Sequence, residues 1–202
     1  MKYLIFGIII LLLCGLYYLH FFKTAESTVI NKTENYAVQK IYFTRDMIND
    51  SISRKIKTGQ FDSVIEVYST ICKDPEIISL IVFKCLEKNI PVNLGMALVE
   101  QESGFNPKAL NIQKSPEDKV ISKDIGLWQN NTRTFKKFKE ADLWNIRINN
   151  ENGAQHLLEK YNEYGSWEEA VMRYNGWGDR AVTHLVNVLK RERDIDRLYN
   201  SY

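Results

Sequence analysis

The chain is poor in the residues that mark several common chemistries. Three cysteines and three histidines occur in 202 residues. His20, His156 and His184 are scattered, and no metal-ligand spacing forms around them. There is no glycine-rich phosphate loop and no Ser-His-Asp arrangement, so neither nucleotide chemistry nor a serine nucleophile is indicated. No metal and no cofactor is expected. The formal net charge is +2, from 27 basic and 25 acidic residues, which is too small a bias to argue for nucleic-acid binding. No internal repeat and no low-complexity tract is found. No stretch supplies several convincing alternating strands, which argues against a β-rich fold. What remains, with 45% hydrophobic and 26% charged residues, is the composition of a globular chain, long enough for one domain and an appendage.

The appendage is the amino-terminal stretch 1–22. From Tyr3 to Phe22 the only ionisable basic or acidic side chain is His20, and Ile, Leu and aromatics dominate. About 20 apolar residues suffice to cross a bilayer. Lys2 precedes the run and Tyr17, Tyr18, Phe21 and Phe22 lie near its far end, which predicts a transmembrane helix with its amino end inside. A cleaved signal peptide is the alternative. The run exceeds the apolar core of about 7–15 residues usual for one, and Ala25-Glu26-Ser27 makes a poor cleavage site. Leu13 is too large for the small residue that precedes a lipidated cysteine, which speaks against lipidation at Cys14. Either way the body of the protein is expected to be exported, on the periplasmic or extracytoplasmic side of the membrane.

Residues 23–57, rich in Asn, Thr and Lys, are expected to form a spacer holding the following domain, 58–202, off the membrane. Asp46 to Ile56 within it suits a short amphipathic helix. From Phe61 onward helical periodicity takes over. Phe61, Val64, Ile65, Tyr68 and Ile71 mark one buried stripe. Asp74-Pro75 opens a second helix, apolar around most of its circumference and so expected to be central. Pro91–Glu102, Thr132–Lys139, Asn149–Tyr164, Trp167–Tyr174 and Asp179–Tyr202 are predicted to follow as helices, with Asn149-Asn150-Glu151-Asn152 a helix start and Gly165 a stop. Cys72 and Cys85 fall late in the first two. They could pair in an oxidising compartment, or serve as two small buried hydrophobes. Trp144, Trp167 and Tyr164 read as core, and Lys190-Arg191-Glu192-Arg193 as a solvated helix face.

One residue has surroundings that suggest chemistry. Glu102 ends the apolar run Ala97-Leu98-Val99-Glu100-Gln101-Glu102, and Ser103-Gly104-Phe105-Asn106-Pro107 breaks it. At about 100° per residue Glu102 points between Leu98 and Val99, while Glu100 projects roughly 160° away. A carboxyl group in an apolar surround at the negative end of a helix is costly to ionise. It can hold a proton and give it to a leaving oxygen.

Three short motifs then occur in order: Glu102-Ser103-Gly104-Phe105-Asn106-Pro107, Gly126-Leu127-Trp128-Gln129 and Tyr174-Asn175-Gly176. Together they resemble the signatures of the lytic transglycosylases, bacterial relatives of goose-type lysozyme, from about Asp74 to the carboxyl terminus. The resemblance implies a mainly α, lysozyme-like domain of the SLT type, preceded here by the transmembrane segment. It implies peptidoglycan glycan strands as partner and cleavage of the β-1,4 bond between N-acetylmuramic acid and N-acetylglucosamine. In that family one glutamate is acid and then base, and the C6 hydroxyl of the muramoyl unit attacks C1 to give a 1,6-anhydro sugar without water. Glu102 matches that acid. Ser103 matches the residue that fixes the turn, Gln129 a glutamine that contacts substrate, Tyr174 the tyrosine whose hydroxyl lies near the acid, and Asn175 an asparagine that orients its surroundings.

The chain departs from the pattern in two places. Trp128 stands where Met or Phe is usual and is expected to offer a flat face to a sugar ring. Asp124, in Asp-x-Gly-Leu-x-Gln, resembles the second carboxylate of animal-type lysozymes. If it reaches the sugar, the protein is a water-using muramidase; otherwise Asp124 caps the turn through backbone amides. Trp177 is open to either role, groove wall or structural. A third possibility is a silent wall-binding scaffold. No protein partner can be named.

Overall fold

The computed structural model describes residues Arg45–Tyr202, which form one compact unit. The expected transmembrane segment at 1–22, Cys14 and the first part of the expected spacer lie outside the described residues. Among the described residues no helix is long and apolar enough to cross a membrane.

The first helix, α1, covers residues 45–57, the segment whose amphipathic pattern predicts it. It is not spacer. Ile48 and Ile52 are buried on its inner face. The Asn49 side chain accepts from the Val92 amide at 2.8 Å, and the Tyr199 hydroxyl donates to Ser51. The compact unit therefore includes α1, which lies before the expected boundary at residue 58, because the apolar stripe of α1 has a core to bury in.

The helix α2, Phe61–Tyr68, stops three residues short of the expected stripe, and its last carbonyl, that of Tyr68, receives the amides of both Ile71 and Cys72. Asp74 caps α3, Pro75–Glu87, accepting from the amides of Glu76 and Ile77, with Pro75 in the first turn. Only one stripe of α3 is buried, formed by Ile77, Ile78, Ile81, Val82 and Cys85, and Phe83 is exposed against Phe61. The central helix is instead α4, Val92–Ser103, in which every residue from Val92 to Val99 is buried. It packs against α3 and α8. Gly95 makes this possible, because a Cβ there would collide with the Cys85 sulfur. Cys72 and Cys85 are both free and buried. They act as small hydrophobes, and burial pushes the Cys85 thiol up to about 12.

After α4 comes a small antiparallel sheet that the sequence reading does not foresee: β1, Leu110–Lys114; β2, Val120–Ile125; and β3, Asn130–Asn131, in that spatial order. Leu110 pairs with Ile125 and Asn111 with Asp124, up to a bulge after Gln113. Leu110 and Ile112 do alternate with Asn111 and Gln113, but over only five residues, all exposed, and Val120 and Ile121 interrupt the alternation.

Residues 132–137, expected as helix, are turns built on Asn131, whose carbonyl accepts from Thr134 and Phe135 and whose side chain accepts from Arg133. No apolar stripe runs through Thr-Arg-Thr-Phe-Lys-Lys to hold a helix against the core. A single turn, α5, Glu140–Leu143, precedes α6, Ile146–Tyr164. The cap of α6 is Asn145, which accepts from the amides of Arg147 and Ile148. The predicted start at Asn149 is thus late, and Asn149, Asn150 and Asn152 lie buried inside the helix. Gly165 ends it in the left-handed conformation, as its position predicts. Then follow α7, Trp167–Tyr174, capped by Ser166, and α8, Asp179–Asn200. Trp167 is core, stacked on Tyr161 at 4.0 Å, while Trp144 and Tyr164 are half-buried.

The basic run on α8 is a solvated face only at Lys190 and Arg193. Glu192 is 3% exposed and takes a two-pronged ion pair from Arg45, Nε to Oε1 at 2.7 Å and Nη2 to Oε2 at 2.8 Å. The remaining Nη1 of Arg45 donates to Glu168 of α7. Arg191 reaches the other way, to Glu100 and Gln101 of α4. One guanidinium therefore joins α1, α7 and α8. Removing it strands a buried carboxylate. Arg45→Met is expected to lower unfolding stability by about 3–5 kcal/mol, and adding Glu192→Leu should restore most of it. Urea unfolding midpoints of the two variants check this; an unchanged midpoint in Arg45→Met would contradict it.

Candidate active site

The turn after α4 is built to expose a helix end. Gly104 is left-handed at φ 59° and returns its amide to the Glu100 carbonyl. Phe105 is also left-handed, at φ 62°, with its ring buried. A non-glycine residue adopts that backbone only where its surroundings hold it. Asn106 then closes the turn, accepting from the Lys108 amide through its side chain and from Ala109 through its carbonyl. The Ser103 hydroxyl donates back to the Val99 carbonyl.

Glu102 sits one residue before the end of α4 with its side chain 14% exposed. Its surround is not wholly apolar, as expected, because α8 brings His184 to it. His184 Nε2 lies 2.8 Å from Glu102 Oε1, and the imidazole is itself nearly buried. Glu100 is turned away onto Arg191, as the helical angle predicts. The separation of His184 from Glu102 by 82 positions explains why sequence reasoning missed the pair. No local spacing signals it, though His184 lies on the inner stripe of α8 with Ala181 and Val188.

Across the turn stands the second motif. Gln129, left-handed at φ 48°, donates from Nε2 to the carbonyls of Gly126 at 2.9 Å and Ala109 at 3.4 Å. Its carboxamide thus staples the Gly-Leu-Trp-Gln turn to the loop after α4. Asp124, on β2, does not cap that turn through backbone amides. Its Oδ1 accepts from Asn131 at 2.6 Å, and its Oδ2 from Asn111 and Gln113 at 3.0 and 3.1 Å. Both oxygens are engaged by side-chain amides of neighbouring strands.

Trp128 corrects a second expectation. It is fully buried and offers no face to a sugar. Its ring occupies the space left by Gly153 of α6, where any Cβ would overlap it, and its indole N–H donates to Asn150. Asn149 fixes the same turn from below. It accepts from the Trp128 amide and donates to the carbonyls of Ile125 and Leu143, while its own carbonyl receives Asn130. These asparagines, read from sequence as a helix start, are the support of the site. The signal was present in Asn145, an equally good cap one turn earlier.

The third motif supplies Tyr174, whose hydroxyl donates to the Trp128 carbonyl at 2.7 Å. Burial holds its phenol well above the usual range, and the charges of Glu102 and Asp124 add to this. Tyr174 therefore keeps its proton, and the two carboxylates are close enough to act on it. His156 flanks its ring at 5.2 Å, and burial lowers that imidazole below its usual range. Asn175 is exposed at the end of α7 and makes no side-chain hydrogen bond among the described residues, so it orients nothing by that means. Trp177 is 72% exposed, with the Arg173 guanidinium 3.6 Å from its ring centre. The structure thus gathers Glu102, Ser103, Gln129 and Tyr174 around one turn, adds His184, and moves Trp128 into the core.

Residues 79–193 match the family described as the transglycosylase SLT domain. The match covers more than half of the chain, and the chain belongs to that family. It is a lysozyme-like protein of the class that acts on peptidoglycan, as the three motifs imply. No curated relative and no solved structure matches it. All the residues just described around the turn, from Glu102 to His184, fall inside the matched region.

The supporting asparagine gives a direct check. Asn149→Ala leaves the Trp128 amide and two carbonyls without partners in the core, at about 1–3 kcal/mol each, so a loss of at least about 3 kcal/mol is expected. Thermal and urea unfolding measure it, and a loss below 1 kcal/mol would rule out Asn149 as the support of the turn.

Proposed function

We propose that the protein is a lytic transglycosylase, cleaving the β-1,4 bond between N-acetylmuramic acid and N-acetylglucosamine, with Glu102 as its acid and then its base. The observation that carries this reading is the contrast between two carboxylates. Glu102 has one oxygen on His184 and the other without a protein partner among the described residues. Asp124 has both oxygens taken by carboxamides. One carboxylate is available for proton transfer, and the second is committed to the sheet. That suits a reaction that needs a single carboxylate better than one that must activate water with another.

The steps balance without a co-reactant. Glu102 protonates the glycosidic oxygen as the bond from C1 to that oxygen breaks, and the N-acetylglucosamine unit departs with the proton. The carboxylate left behind removes the proton of the muramoyl C6 hydroxyl, whose oxygen bonds to C1 and closes the 1,6-anhydro ring. Glu102 ends protonated, as it began. Tyr174 and Gln129 hold the backbone of the facing turn in place, and Ser103 holds the helix end. Trp177, exposed beside the third motif, has the ring face not covered by Arg173 open to stack on a sugar, the part first expected of Trp128. The apolar run 3–22, with Lys2 before it, supports an exported protein anchored in the membrane, with the domain on the outer side.

Digestion of purified peptidoglycan followed by mass spectrometry tests the reaction. Products ending in 1,6-anhydro-N-acetylmuramic acid are expected. Reducing ends, one water heavier, would mean a muramidase and return Asp124 to the chemistry; wall binding without products would mean a scaffold. Glu102→Gln is expected to lower turnover by about a thousandfold with folding and wall binding kept. Native-rate cleavage by that variant would remove Glu102 from the role.

A further inference from the structure

We infer that His184 is the positioning residue of Glu102, holding one carboxylate oxygen through an Nε2–H bond so that the other stays free for the sugar. The inference rests on Glu102 being the acid and assigns its partner. His184 is 8% exposed and its Nε2 is 2.8 Å from Glu102 Oε1. Its Nδ1 is buried and has no hydrogen-bond partner.

That bare nitrogen decides which way the bond runs. An imidazolium would bury an N–H at Nδ1 with no acceptor. So would the Nδ1–H tautomer, which in addition needs Glu102 to donate. The Nε2–H tautomer leaves only a lone pair unmatched. Buried donors without partners are rarer than under-used acceptors, so Nε2 carries the proton and Glu102 accepts it.

The chemistry gains from this arrangement. A flexible glutamate at a helix end has several rotamers, and the bond to α8 selects one. The bond is also charge-assisted only when Glu102 is ionised, which is its state between the two proton transfers. Tyr174 on α7 lies within electrostatic reach of Glu102 and also of Asp124 on β2, and neither Tyr174 nor Asp124 hydrogen-bonds to His184.

Because His184 is shielded behind Glu102, its loss should reach kcat and spare KM. With the full-length chain and soluble, peptide-free glycan strands, His184→Phe is expected to lower kcat by about 10- to 100-fold, with KM changed by about twofold at most. His184→Gln, which can place an amide donor near the Nε2 position, should recover most of the loss. Native kcat in His184→Phe, or a loss confined to KM, would overturn the inference. If the Phe variant fails to fold, the ring nitrogens of the wild-type protein decide. Nitrogen-15 NMR should find His184 protonated at Nε2 alone and perturbed in Glu102→Gln, whereas a proton on Nδ1 would overturn the assignment. Loss of activity in Glu102→Gln with none in His184→Phe defeats this inference and leaves the acid in place. Retained activity in Glu102→Gln defeats both.

Discussion

The complete burial of α4 is the constraint on which the other elements turn. Eight consecutive residues from Val92 to Val99 have no solvent face, so neighbours must cover the helix all round. On one side Gly95 lets Cys85 and α3 come close; along another lies α8. A helix packed this way has little freedom to rotate or slide, and its half-buried last turn continues directly from that fixed segment. Glu102 inherits that rigidity. A carboxylate on a loop would need to be organised by substrate, whereas one at the end of a buried helix is already in place.

The opposite wall of the site is held differently, by side-chain amides. Asn149, Asn150 and Asn130 join the Gly-Leu-Trp-Gln turn to α6, and Asn111, Gln113 and Asn131 surround Asp124. A carboxamide both donates and accepts, so each can satisfy the mixed backbone groups of a turn that has no regular pairing. The tight turn also explains the fate of Trp128. Its backbone faces the site, through the carbonyl that receives Tyr174, while its ring goes inward over Gly153.

Much of this was legible in the chain and some was not, for physical reasons. The helices with a clear stripe or a strong cap, α3 with Asp74-Pro75 and α7, were found with their ends. Glu102, Gln129 and Tyr174 were found because three local motifs carry them. The sheet escaped because its strands are short, β1 is exposed along its whole length, and Val120-Ile121 breaks the alternation in β2. The start of α6 was misplaced because asparagine is read as a cap when it is exposed, while here its amide works in the core. His184 and the Arg45–Glu192 pair were out of reach, since they join positions 82 and 147 residues apart and nothing local announces either partner.

The two-pronged bond of Arg45 has a mechanical side. A pull on the polypeptide from the amino-terminal direction enters this unit at Arg45. There the fork hands it to Glu192 in the middle of the longest helix and to Glu168 on the next. Tension is thus shared between three helices at the first residue instead of peeling α1 away from its outer end. The helix that holds Glu192 also carries His184 two turns earlier, so the arginine fork and the seating of the acid are written on a single rod.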